Sequence, residues 1–370
     1  MQFSLIKGFR YIKRNIINKV LNNNIFHSYL FFGKKGNPSL SFVIIFSTYV
    51  NCTNKSILDS CGTCYSCLSI FNFNNSSIFF IFPFIKNNPI PSIKKWKNFL
   101  HSEVYGNSFD WINYLNLNNK NLTIPLEKSK DIFKYINSNI ESKYKIVIIW
   151  LPEYMNAHTS NSVLKIIEEP SKNVIFFLVS LNISKILPTL LSRLNIINVS
   201  LFKDKYINLI ISDRYNLKNN HIFQITNISK GNLNKIIKLS KNVNFFNNSF
   251  NYFIEWMRVC YSHDFLNIVE YSFFFSKMKK EVQISFLSYI VFMFRNILLY
   301  NFYYKDLCNI SNSSRRFLKK ISKILYLNKI EILISKIEKM YLFIERNVNS
   351  KIIYLNLSLE ISFTFKNNIF

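Results

Sequence analysis

Glycine is scarce in this chain, with six in 370 residues, and so are carboxylates, with 20 Asp and Glu against 47 Lys and Arg. The glycine deficit comes with an abundance of Asn, Lys, Ile, Phe and Tyr, a pattern of drift toward AT-rich codons that raises Lys without selection for binding. The formal charge of +27 would ordinarily point to a nucleic-acid partner. The drift discounts that inference, although a salt-dependent attraction to phosphate remains. No paired-carboxylate site can be argued. The five histidines (His27, His101, His158, His221 and His263) have neither ligand nor triad spacing, and no Ser-His-Asp site can be argued either. Neither a signal peptide nor an internal repeat is expected. The longest apolar stretch, 286–304, carries Arg295 and Asn296 at its middle. In a bilayer these would cost a few kcal/mol each, so a buried helix in a cytosolic, non-membrane protein is expected.

With 49% hydrophobic residues the chain can build two or three domains with real cores. Its most informative stretch is 144–193. The apolar run Ile146 to Trp150 reads as a parallel strand buried on both faces. A helix follows with Val163, Leu164, Ile166 and Ile167 inward, stopped by Pro170. A second buried strand spans Val174 to Val179, and a short helix ends in Ser192-Arg193. Strand, helix, strand, helix predicts an α/β fold with a parallel sheet and flanking helices. Upstream, Lys7, Arg10, Lys13 and Arg14 lie among apolar residues, as in an amphipathic first helix. Ser28 to Phe32 reads as a strand, with Asn37 as the N-cap and Pro38 as the first residue of the next helix. The region 77–125, rich in Pro and Asn, reads as a loop-rich insertion with one helix near Ser92 to His101. The expected domains are 1–199 (α/β), 200–243 (short helices with Gly231 at a turn) and 244–370 (all helical).

Cys52, Cys61, Cys64 and Cys67 have the spacing C-x8-C-x2-C-x2-C, whereas Cys260 and Cys308 are scattered and read as buried hydrophobes. In a cytosolic chain, four clustered thiols point to a closed structural zinc site rather than to disulfides.

The segments HSYLFFGKKG (27–36), CGTCYSC (61–67), YKIVII (144–149), NSVLKIIEEP (161–170) and ILPTLLSR (186–193) resemble the clamp-loader subunits of bacterial DNA polymerase III, the gamma/tau and delta-prime proteins of the AAA+ class. They span most of residues 20–200. The resemblance implies an AAA+ domain with a zinc module at about 52–67, a small helical lid, and a C-terminal collar that joins subunits.

A working phosphate loop reads G-x-x-x-x-G-K-[ST]. Against it stand Gly33, Lys34, Lys35, Gly36, Asn37, Pro38, Ser39 and Leu40. Pro38 takes the second glycine's place without an N–H, Ser39 replaces the lysine, and Leu40 replaces the magnesium-holding hydroxyl. Trp150 and Leu151 occupy the places of the Asp-Glu pair that ends the first strand in ATPases. Glu153 lies two residues too far on to substitute. Ser180 holds the polar sensor position, and Asn234, within GNLN, stands where many ATPase members carry Arg. No bound ATP is expected. Together with the WLPE variant at 150–153, these losses imply the non-hydrolysing, delta-prime type.

Ser192-Arg193 matches the family's Ser-Arg at the subunit boundary, where the arginine reaches a neighbour's ATP as a trans-acting finger; Leu194 replaces the usual following Cys. A plain reading of Arg193 is a helix C-cap or a surface ion pair. Glu168-Glu169-Pro170 reads as a helix stop. The resemblance thus implies delta and gamma/tau subunits as partners, with the sliding clamp and primed DNA reached through the complex. The rival readings are a gamma/tau-type ATPase motor and a zinc-containing nucleic-acid-binding protein.

Overall fold

The computed structural model describes residues 2–85, 91–116, 121–214, 219–241, 243–302, 312–325 and 327–366. It divides into two compact units, one of Met1–Tyr206 with Gly231–Asn234 and one of Ile207–Lys230 with Lys235–Phe370.

The first unit opens with α1 (Arg10–Leu21), whose Ile16, Ile17 and Val20 are buried as an amphipathic helix requires. β1 (Ser28–Phe32) and α2 (Ser39–Asn51) follow; every residue of α2 is buried. Next come α3 (Tyr65–Phe71), β2 (Ile78–Ile81), β3 (Phe84–Ile85), α4 (Ile93–Glu103), α5 (Ser108–Tyr114), β4 (Leu122–Thr123) and α6 (Glu127–Ile136). The run closes with β5 (Lys145–Trp150), α7 (Ala157–Glu168), β6 (Val174–Ser180), α8 (Pro188–Leu191) and β7 (Asn195–Asn198).

Five strands form a sheet in the order β2-β5-β6-β1-β7, and every pairing is parallel. Ile146, Val147, Ile148 and Ile149 are fully buried, as are Phe176, Phe177 and Leu178 beside them. An unbroken apolar run is what a strand covered on both faces needs. Asn156 caps α7 by accepting the Thr159 N–H at 2.7 Å, and Glu169 ends the helix just ahead of Pro170, where α-helical backbone is disfavoured.

Three sequence expectations need correction. The region 77–125 is not mainly loop: besides the expected helix α4 it supplies the edge strand β2, the helix α5 and the β3–β4 ladder. β7, the opposite edge strand, was also not foreseen. The second helix starts at Ser39 with Pro38 at its cap position, one residue later than expected.

The second unit is helical among its described residues. The helices after β7 are α9 (Asp204–Arg214), α10 (Asn219–Ser229), α11 (Leu233–Lys241), α12 (Val243–Tyr261), α13 (Phe265–Ser276), α14 (Lys280–Asn301), α15 (Asn312–Ile321), α16 (Leu327–Glu345) and α17 (Ser350–Lys366). Phe275 stacks on Phe286 at 4.6 Å and on Tyr354 at 5.2 Å, and Trp256 donates to the Ser358 hydroxyl at 2.8 Å. Among the described residues, α14 alone is long and apolar enough to cross a membrane, and 56% of its apolar window is buried in the fold. Its Arg295 pairs with Glu338 at 2.9 Å and its Asn296 amide donates to the Phe292 carbonyl, so both polar groups are satisfied within the bundle. Cys260 is buried as expected; Cys308 lies outside the described residues.

Candidate functional site

The loop between β1 and α2 has the outline of an anion cradle, but the N–H groups of Gly33, Asn37 and Ser39 are spent internally. A phosphate loop works by aiming free backbone N–H groups at the ligand. Here the Asn37 side-chain oxygen accepts the Ser39 N–H at 2.6 Å, and its amide donates to the Lys34 carbonyl at 2.7 Å. The Asn37 N–H donates to the same carbonyl, and the Gly33 N–H reaches the Ser180 carbonyl at 3.4 Å. Pro38 has no N–H. Both glycines are held by close neighbours. A Cβ at Gly33 would lie 2.1 Å from the Val199 carbonyl, and one at Gly36 (φ +85°) would lie 1.9 Å from the Asn232 side-chain oxygen. Asn232 belongs to GNLN, whose Leu233 N–H also donates to the Gly36 carbonyl. Ser39 and Leu40 are 1% and 4% exposed, so neither could contact a ligand without rearrangement.

Asn234 reaches the Asp110 carboxylate at 2.6 Å, and that carboxylate also accepts the Asn107 N–H in the capping box of α5. The position aligned with a lid arginine is thus tied into the first unit by a buried neutral amide.

At the C-terminal end of β5, Trp150 is 2% exposed and packs 5.0 Å from Trp96 and 5.9 Å from Phe99. Phe82 stacks on Trp96 at 4.5 Å, and Trp111 meets Trp96 edge-on at 5.2 Å while donating to the Pro83 carbonyl. An aromatic cluster from α4, α5 and the end of β2 therefore surrounds the place of a magnesium carboxylate. Sequence reasoning missed it. The signals were the apolar run through Ile78–Phe84 and the Asn107-x-x-Asp110 spacing ahead of Trp111.

Glu153 points back into the fold. Its Oε1 accepts the Leu181 N–H at 3.0 Å, and Ser180, fully buried, accepts the Asn182 N–H through its hydroxyl. Burial pushes the Glu153 carboxyl above the usual carboxylate range, against hydrogen bonds from backbone N–H groups and the Ser180 hydroxyl that favour the ion. The His27 side chain is exposed, and its backbone carbonyl accepts the Phe176 N–H at 2.8 Å.

Arg193 sits at the opposite end of the sheet. Its carbonyl accepts from the Ser28 hydroxyl at 2.8 Å, at the start of β1, whereas Gly33 follows the end of that strand. Five residues of strand span about 16 Å, at roughly 3.3 Å each, which is beyond an arginine's reach. The guanidinium is exposed. Nε meets Glu168 Oε1 at 2.6 Å, and Nη1 donates to the Thr189 carbonyl at 2.9 Å and the Ser192 hydroxyl at 3.2 Å. It is thus both a helix cap and an ion-pair partner, the two plain alternatives.

Cys52, Cys61, Cys64 and Cys67 converge, with all four Sγ atoms within 4.8 Å of one another. The closer pairs are 3.5 Å (Cys52 and Cys61), 3.9 Å (Cys61 and Cys67) and 4.0 Å (Cys52 and Cys64). A tetrahedron with Zn–S bonds near 2.3 Å has S···S edges of about 3.8 Å, whereas a disulfide needs about 2.05 Å. The donor set therefore fits a four-coordinate soft metal ion and not a pair of disulfides. The backbone N–H groups of Cys64 and Thr63 bring the Cys61 thiol below its usual range. Burial pushes the Cys64 thiol up, but hydrogen bonds from the Cys67 backbone and from Thr53 outweigh it and bring it to about 5. Burial pushes Cys52 and Cys67 up. The loop is tied to the chain start, where Asp59 accepts the N–H groups of Phe3 and Ser4 at 2.8 and 3.0 Å.

Comparison with known proteins bears on residues 10–203, which match the family described as DNA polymerase III, delta subunit. DNA polymerase III subunit tau of Bacillus subtilis is 25% identical over 192 residues, covering 52% of this chain and 28% of tau. Subunit gamma of Buchnera aphidicola is 24% identical over 191 residues, covering 52% and 42%. Subunit delta' of Bacillus subtilis is 22% identical over 185 residues, covering 49% and 44%. The matched part thus spans less than half the length of each of these relatives. A crystal structure of a gamma subunit-related protein from Thermotoga maritima aligns over 97% of this chain and 99% of its own at 14% identity, with a TM-score of 0.38.

Proposed function

Because this chain belongs to the DNA polymerase III delta subunit family and has the AAA+ clamp-loader fold, we propose that it is the loader's fixed, non-hydrolysing, delta-prime-like subunit. In this reading it works in the cytoplasm beside delta and gamma/tau subunits, which its helical C-terminal domain joins. It carries no ATP itself and offers Arg193 to the ATP of a neighbour, so that hydrolysis there is coupled to release of the sliding clamp onto primed DNA.

The observation that carries the reading is the filled nucleotide site. Asn37 takes up the Ser39 N–H, and Trp150 sits in an aromatic cluster where magnesium needs a carboxylate. The placement of Arg193 at the far end of β1 supports it, since any phosphate that Arg193 meets belongs to another molecule. A fixed guanidinium offsets charge that develops on a transferring phosphoryl group, and such fingers contribute about 10³ to 10⁵ in rate elsewhere. The four thiolates would hold a zinc ion with no open position for water, so its contribution is to fold the 52–67 loop.

The rival with an observation in its favour is a gamma/tau-type motor, since the tau relative is 25% identical. Calorimetric titration of the isolated chain with magnesium-ATP separates the two. No heat of binding at millimolar ATP is expected; saturable, magnesium-dependent binding would favour the motor.

A further inference from the structure

Arg193 is not a loose surface arginine, and the partner that fixes it lies 25 positions earlier in the chain. We propose that Glu168, the last residue of α7, is a positioning residue for Arg193, holding the guanidinium in the one orientation from which it can meet a phosphate on a neighbouring subunit. This rests on the reading of Arg193 as a trans-acting finger.

The donor inventory carries the proposal. A guanidinium has five N–H groups in a rigid plane. Nε lies 2.6 Å from the Glu168 carboxylate in an ion pair, and Nη1 donates to the Thr189 carbonyl and the Ser192 hydroxyl. Nη2 makes no hydrogen bond among the described residues. One ion pair and two hydrogen bonds from the ends of two helices therefore hold the guanidinium and leave Nη2 for an external anion. The acceptors from α8 are local to Arg193, and both act on the same nitrogen. Glu168 alone anchors the other edge, and it comes from a helix whose Val163 and Ile167 are locked in the core. An unanchored arginine would have to find its catalytic orientation at each turnover; an anchored one is preorganised before ATP arrives.

A purely structural role is the weaker account. The Arg193 and Glu168 side chains are 42% and 38% exposed, and ion pairs at such exposure contribute little to stability. Removing Glu168 should therefore leave the fold and the assembly intact, which makes the test clean.

The test is clamp- and DNA-stimulated ATP hydrolysis by the reconstituted loader, with this chain carrying Glu168→Ala, Glu168→Gln, Arg193→Ala or Glu168→Ala with Arg193→Ala. Assembly is checked by gel filtration. Outer-shell partners that orient a functional group typically contribute 10- to 100-fold, so Glu168→Ala should lower kcat about 10-fold with KM for ATP unchanged. Glu168→Gln keeps the shape but removes the charge that pairs with Nε, so it should recover little of that loss. The double variant should match Arg193→Ala, because Glu168 acts only through the arginine. If Glu168→Ala is as fast as wild type, or faster, while Arg193→Ala is slow, the positioning role is overturned and the finger stands. An assembly defect in Glu168→Ala would overturn it in favour of a structural role. An unchanged rate in Arg193→Ala would overturn both.

Discussion

The side-chain oxygen of Asn37 accepts the backbone N–H of Ser39 at 2.6 Å, inside a loop whose outline would otherwise suit a phosphate. Asn37 folds the loop onto itself between β1 and α2, since its amide also donates to the Lys34 carbonyl. Its remaining shape is explained by close packing, since Gly33 lies against Val199 and Gly36 against Asn232.

Rebuilding the motif in sequence alone should therefore fail. The combined Pro38→Gly, Ser39→Lys and Leu40→Thr variant restores G-x-x-x-x-G-K-T but leaves Asn37, Asn232, Trp150 and Leu151 in place. The expected outcome is a folded protein, checked by circular dichroism, with ATP turnover at background. Turnover clearly above background would mean that the aromatic cluster does not block the site.

Trp150 should be a stability residue. It is fully packed among Trp96, Phe99 and their neighbours, so Trp150→Ala loses apolar burial and leaves a cavity. A loss of about 3–5 kcal/mol in urea unfolding is expected. A loss under about 1 kcal/mol would show that the cluster is loosely packed.

The four-cysteine loop should bind one metal ion per chain and depend on it. Chelation, or Cys67→Ala, is expected to release the 52–67 loop and with it the chain start anchored through Asp59. Limited proteolysis should then cut within 52–67 first, while the rest of the domain resists. A cleavage pattern unchanged by chelation would remove the metal from the account.

Glu153 gives a pH signature. Its folded-state pKa is raised by burial, so the fold favours the protonated form. That contribution is complete below the unfolded-chain pKa and is lost as pH rises through the folded value. Glu153→Gln stays neutral and can still accept the Leu181 N–H. It should be more stable than wild type at about pH 8 and equal to it at about pH 4, with the difference growing between them. A pH-independent difference in unfolding midpoint would contradict the assignment.

The parts of the fold that were legible in the sequence are those fixed by local pattern. Ile146–Trp150 and Val174–Val179 are uninterrupted apolar runs, and their strands formed within one residue of the expected limits. The helix between them follows from its apolar spacing and Pro170. The cysteine cluster follows from spacing alone. What escaped was tertiary. β2 is a four-residue strand ending two residues before Pro83, and β7 is another four-residue strand, and both are specified by the neighbours they pair with more than by their own residues. The filling of the nucleotide site depends on Trp96 and Trp111 reaching Trp150 from α4 and α5, which no local rule connects. Likewise, Glu168 and Arg193 read separately as a helix stop and a helix cap, and only the folded chain brings them to 2.6 Å.

The most direct test of the central claim is the clamp- and DNA-stimulated ATPase rate of a reconstituted loader in which this chain alone carries Arg193→Ala or Arg193→Lys. The account predicts intact assembly and a rate loss of at least about 10³-fold at the neighbouring site for Arg193→Ala, in line with other arginine fingers. Little rescue is expected from lysine, whose ammonium lacks the planar fork. A rate equal to wild type in both variants would contradict the account and leave Arg193 a surface residue paired with Glu168.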